Sequence, residues 1–231
     1  MKLLVTLFSL IFFYSFNKTL ITQKTLAELT THSDKILIGR VISVSDSDLY
    51  IQTQESIKGS FLPNYRIKKQ QTGHISQRMI KTNLAGSTEL FFLRYNQEEK
   101  VYSLFNQHGD AEYAIEDSII YVYNRSWTQK INWLKYPSRF LQVGQNYMEA
   151  TPFKCKDLVK ALKDLLKEEK LLKKEFYKES LVKDLVDRKT GEDIRVQFAH
   201  PRLNLYYNQS LAHQRILDEC LDNPEYLHSN W

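Results

Sequence analysis

The sequence predicts a mainly β protein, a small antiparallel β-barrel followed by a C-terminal α-helical extension. Three observations carry this. Short β-branched and aromatic runs, separated by turn clusters, recur between residues 33 and 123. Tyr and Phe are plentiful, at 14 and 12, whereas Gly and Pro are scarce, at 7 and 5. Beyond residue 154 the apolar period lengthens from two to between three and four, the spacing of a helix.

The 231 residues divide into four parts. Residues 1–22 read as a signal peptide or N-terminal anchor. Lys2 precedes an uncharged apolar run from Leu3 to Phe16, which fits a secretory core and is short of the roughly 20 residues of a membrane-spanning helix. No small-x-small cleavage pattern follows Phe16, so an uncleaved anchor stays open. Export to the periplasm, the cell surface or the medium is the expectation.

Residues 23–123 form the barrel domain with a leading helix. In residues 24–33, Leu26 and Leu29 share one helical face. Residues 35–45 are a β-branched run interrupted by Gly39, where a strand bulges or bends. Residues 49–57 alternate, with Leu49, Ile51, Thr53 and Ile57 on one face. A third strand contains Tyr65 and Ile67. Residues 71–86 make the longest irregular piece, and loops of that length on a rigid barrel often bind ligands. Gly73, His74, Arg78 and Lys81 are its candidate binding residues. Leu90, Phe91, Phe92 and Leu93 are apolar on both faces, which requires a strand covered on both sides. Residues 101–105, 111–116 and 119–123 complete six or seven strands.

Residues 124–153 are an aromatic connector with Trp127, Trp133, Tyr136, Phe140 and Tyr147. Packing against the barrel is expected of them, with sugar stacking the alternative. Residues 154–231 are the helical extension. Leu158, Leu162, Leu165, Leu172 and Phe176 stripe a helix over 154–187 with a break near 178–180, and residues 210–221 make a short last helix. Packing of the stripe on the barrel is expected, and membrane-surface contact is disfavoured because glutamates interleave with the lysines. Cys155 and Cys220, the two cysteines of an exported chain, are a candidate disulfide.

A family resemblance rests on Ser33-Asp34-Lys35-Ile36-Leu37-Ile38-Gly39-Arg40-Val41, Ile57-Lys58-Gly59 and Glu89-Leu90-Phe91-Phe92-Leu93. This order resembles exported bacterial domains with an OB-like antiparallel β-barrel, which are similar to the netrin-like domain of the tissue inhibitors of metalloproteinases. The resemblance covers about 90 residues and implies a fold and no transferable enzymatic activity. The inhibitors reach the protease metal through an N-terminal cysteine, whereas the first cysteine here is Cys155, which disfavours inhibition of that type.

Charge narrows the function further. The net charge is +5, and residues 154–189 alone carry 12 basic against 8 acidic residues. A basic surface confined to one segment does not track nucleic acid. Catalytic and metal-binding motifs with recognisable spacing are absent. His32, His74, His108, His200, His213 and His228 are scattered without metal-ligand spacing, and His108-Gly109-Asp110 reads as a hairpin turn. No cofactor is expected. The functional expectation is a non-enzymatic binding or interaction module, with a protein or glycan partner and no nucleic acid. A netrin-like inhibitor and an enzyme with an unrecognised site are the alternatives.

Overall fold

The computed structural model describes residues 24–68, 85–105, 111–123, 136–143, 146–176, 182–184, 197–198 and 200–222. Helix α1 (Leu26–His32) begins on Thr25, whose hydroxyl accepts from the Glu28 N–H at 3.0 Å; Thr-x-x-Glu is the sequence sign of such a start. At its other end the Lys58 ammonium donates to the Thr30 and Thr31 carbonyls at 3.1 and 2.8 Å, satisfying acceptors that the helix leaves open.

Strands β1 (Lys35–Val44), β2 (Asp48–Lys58), β3 (Asn64–Lys68), β4 (Thr88–Asn96) and β5 (Val101–Leu104) close into a barrel in the order β1-β2-β3-β5-β4, with β4 returning to β1. This closed five-strand barrel is compatible with the OB-like barrel expected, and it departs from an all-antiparallel sheet in one pair. The β3–β5 pair is parallel, Ile67 opposite Tyr102 and Lys68 opposite Ser103, and the other pairs are antiparallel. That parallel pair lets two strands separated by β4 meet and closes the ring, so that the barrel leaves few free edges.

Gly39 stands beside a register shift in the β1–β2 ladder. A Cβ there would fall 2.2 Å from the Ile51 Cγ2, so the bend needs glycine to let β1 approach β2. Leu90 to Leu93 are buried on both faces, as are Ile36 and Leu37 opposite them in the ladder.

The connector reading of residues 124–153 is corrected in its second half. Residues 139–154 form β8 (Arg139–Val143) and β9 (Asn146–Lys154). They extend the sheet beyond β4 through β6 (Glu112–Glu116) and β7 (Ile119–Tyr123), in the order β4-β6-β7-β9-β8, giving nine strands. Strand β9 pairs with β7, which would otherwise be an open edge, and β8 pairs with β9. Tyr136 is buried as expected, while Phe140 is 72% exposed. Trp127 and Trp133 lie outside the described residues.

Strand β9 runs straight into α2 (Cys155–Phe176), 22 residues long. Leu158, Leu162, Leu165 and Leu172 are buried as the stripe predicts. The helix packs against α1, β2, β7, β9 and α4 (Leu211–Asp222). The expected continuation of this helix to 187 is corrected. Val182–Asp184 is strand β10, antiparallel to β11 (Gln197–Phe198). Helix α3 (Pro201–Tyr207) starts with Pro at its first position, where the missing N–H costs nothing, and the His200 ring accepts from the Arg202 N–H at 3.3 Å. One hydrophobic cluster runs from the barrel through α1, α2, α3 and α4, so the helices share the barrel's core. No helix among the described residues is long and apolar enough to cross a membrane.

Candidate functional site

An open cleft of about 830 Å³ lies where α2 begins. Three separate parts of the sheet build its rim: Glu55 of β2, the Asp117–Ser118 turn between β6 and β7, and Lys154 at the end of β9. The first three turns of α2 form the remaining wall.

The turn is a two-residue hairpin loop with Ile115 opposite Ile120 and Glu116 opposite Ile119. A type I′ loop has positive φ at both central residues, and Asp117 and Ser118 adopt 48° and 63°. Asn-Gly is the usual solution, so this turn holds strain of order 1 kcal/mol or more. The Ser118 carbonyl accepts from the Cys155 N–H at 2.8 Å. That bond joins the turn to the first residue of α2.

Five lysines line the cleft: Lys154, Lys156, Lys160, Lys163 and Lys167. Two carboxylates engage three of them. Glu55 accepts from Lys163 at 2.5 Å, and Asp164 accepts from Lys160 at 2.6 Å and from Lys167 at 3.0 Å. Lys154 and Lys156 form no ion pair among the described residues. Burial raises the Asp164 carboxyl, but the two ammonium groups and His213 outweigh that and hold it at about 2. The cleft therefore presents positive charge in excess of what its own acids neutralise, and suits an anion.

Cys155 is half-buried in the cleft wall. Burial first, then the Glu55 carboxylate, pushes its thiol above the ordinary range, so it is a neutral thiol rather than an activated nucleophile. The expected disulfide is not formed. Cys155 and the fully buried Cys220 are both free, and Cys220 sits in the shared core as a small apolar group, its thiol also raised by burial. The expected loop residues Gly73, His74, Arg78 and Lys81 lie outside the described residues, as do residues 1–22 and the His108-Gly109-Asp110 turn.

Behind the cleft, Asp164 also faces His213, whose Nε2 is 3.4 Å from its Oδ2. The His213 Nδ1 is 2.8 Å from the Ser210 Oγ. A serine, a histidine and an aspartate thus lie in contact order, which no spacing in the sequence reveals because Asp164 is 49 residues from His213. Their surroundings make them a structural hub. His213 is 1% exposed and stands edge-on to Tyr206, with ring centroids 4.6 Å apart. The Ser210 hydroxyl also accepts from the His213 N–H at 3.4 Å at the start of α4. The hub ties α2, α3 and α4 together. Among the described residues no group of three or more His, Cys, Asp or Glu is placed to hold a metal ion.

The hub gives a pH prediction. Burial first lowers the His213 pKa, and the Lys160 ammonium adds to this against the opposing Asp164. The imidazole is then neutral in the fold and protonates more readily in the unfolded chain. Unfolding takes up a proton, so the stabilising difference shrinks as pH falls below the ordinary imidazole value of about 6.5. Asp164, depressed to about 2, adds a second loss between about pH 4 and pH 2. Urea midpoints should fall from pH 7 to pH 5, and His213→Gln should flatten that segment. An unaltered slope in the variant would remove His213 as its source.

A buried lysine lies in the barrel. The Lys35 side chain is buried, with its ammonium 5.6 Å from the Tyr65 ring centroid and no hydrogen-bond partner among the described residues. Burial lowers its pKa. Gly59, at φ 81°, covers it; a Cβ there would sit 3.3 Å from the Lys35 Nζ.

Compared with protein-family models, curated proteins and solved structures, the chain matches none.

Proposed function

We propose that this chain is an exported, non-enzymatic binding module of the cell envelope or extracellular space, and that the cleft at the start of α2 is its site for an anionic group. The observation that carries the site is the excess of lysines in that cleft, with Lys154 and Lys156 left without carboxylate partners among the described residues. The support for export is Lys2 and the apolar run to Phe16. The five-strand barrel is compatible with the netrin-like resemblance, and in this reading it serves as a rigid scaffold. An exported chain meets anionic glycans rather than nucleic acid, which makes a glycan the fitting partner.

Titration of the full chain with inorganic tripolyphosphate at low salt tests the site. Saturable binding is expected, and Lys154→Glu with Lys156→Glu should abolish it. Undiminished binding by that double variant would place the anion elsewhere. Fractionation tests export: a chain lacking residues 2–16 should stay in the cytosol, and unchanged localisation would remove the export reading.

A further inference from the structure

The side chains of α2 sort by exposure with unusual consistency. Among its described side chains, every exposed one is a lysine: Lys156, Lys160, Lys167, Lys170 and Lys174. Half-buried Lys163 fills the one gap in their spacing, which then runs 4, 3, 4, 3, 4. Positions three and four apart are neighbours on one helix face, so the six ammonium groups form one continuous row. The row spans 18 residues, about 27 Å at the helical rise per residue.

The described acids of the helix lie off this row. Asp157, Asp164, Glu168 and Glu169 are half-buried. Glu168 accepts from Arg202 of α3 at 2.5 Å, and Glu169 from Lys173 at 2.8 Å. Lys170 and Lys174, at the end away from the cleft, form no ion pair among the described residues, which matches Lys154 and Lys156 at the cleft end. Uncompensated charge therefore sits at both ends of the row.

Resting on the reading of the cleft as an anion site, we infer that the ligand is a linear polyanion, an anionic glycan carrying sulfate, phosphate or carboxylate groups. One end of it occupies the cleft and the rest lies along the α2 row. A single small anion needs only the cleft and gives no account of Lys170 and Lys174, about one and two turns beyond Lys167, the last lysine of the cleft. A lipid surface fits less well. An amphipathic helix binds a bilayer by burying apolar side chains in it, and the leucines of α2 are already buried in the protein core. What remains exposed is charge alone, without an apolar wedge.

Dextran sulfate fractions of graded length, titrated against the full chain at several salt concentrations, separate the possibilities. Affinity should rise with length until the polymer spans the row. Lys170→Ser with Lys174→Ser should weaken long fractions about tenfold at low salt, as loss of two exposed charge contacts implies, and leave tripolyphosphate binding unchanged. The same variant should make the dependence of log affinity on log salt shallower by about two units. Lys170→Arg with Lys174→Arg should retain binding. If affinity is independent of length and the distal variant is silent, the polymer inference fails while the cleft stands. If long fractions bind and the cleft variant Lys154→Glu/Lys156→Glu is silent, the cleft reading fails instead. Tighter binding to phosphatidylglycerol vesicles than to any polymer, lost in the distal variant, would replace the glycan with a membrane.

Discussion

Leu165→Asp should unfold the protein. Leu165 is fully buried in the leucine stripe of α2, within the cluster that joins the barrel to the helices. Truncating such a leucine alone costs about 2–5 kcal/mol. The aspartate adds a carboxylate with no cation on that face of the helix, and an unpaired buried charge costs several kcal/mol more unless it is neutralised. Together these reach the 5–15 kcal/mol by which a domain of this kind is typically stable. No cooperative urea transition is expected for the variant at neutral pH. Leu165→Met, which conserves volume, should lose less than about 1.5 kcal/mol. A Leu165→Asp protein with the wild-type midpoint would mean that the stripe faces outward, and would reopen membrane contact for this helix.

The elements that the sequence foretells are those in which local pattern and tertiary need coincide. Residues 24–33 carry both a capping signature and two leucines for one face, and α1 lies there. Gly39 was legible because a lone glycine in a β-branched run has few other uses. Leu90 to Leu93 had to be covered twice, and β4 is the strand shared by the barrel and its extension. The errors are of a different kind. Periodicity says which residues face inward, not which strand lies alongside, so the parallel β3–β5 pairing was invisible. In residues 139–154 the aromatics suit a packed connector as well as a strand, so the β8–β9 pairing was not legible. Helix α3 had its proline start in view, but seven residues are too few to establish a stripe.

The site was less legible than the fold because it is assembled from distant segments. Glu55, the Asp117–Ser118 turn and the start of α2 meet only after β9 has paired with β7. The excess charge of residues 154–189 was visible, but its sorting was not. Interleaved glutamates look like partners for every lysine on a helix drawn in isolation. Tertiary packing turns those acids toward α3 and the flanks, and leaves the lysines in front. Cysteine count and spacing likewise say nothing of depth. Cys220 is enclosed by the core and Cys155 lines the cleft.

Arg215→Met should destabilise the protein by about 3–5 kcal/mol, the cost of leaving one charge of a buried pair without its partner. Arg215 is 1% exposed, and its Nε donates to the Glu219 Oε1 at 2.7 Å. Its guanidinium also donates to the Tyr123 carbonyl at 3.3 Å and lies 5.6 Å from the Tyr136 ring centroid. Glu219 uses its other oxygen to accept from the Ala27 N–H at 3.1 Å, one of the donors at the start of α1 that the helix itself cannot satisfy. This pair therefore couples the last helix to the first and to the edge of β7. Glu219→Leu alone should be as damaging, since it strands the guanidinium and the Ala27 N–H together. The double variant Arg215→Met/Glu219→Leu should be more stable than either single one, because no unpaired charge remains. It should still fall short of the wild type by about 1 kcal/mol for the helix start left open. A urea-denaturation double-mutant cycle measures the coupling directly. Additive losses, or single-variant losses within about 0.5 kcal/mol of zero, would show that α4 is held by its apolar face and that the charges are incidental to it.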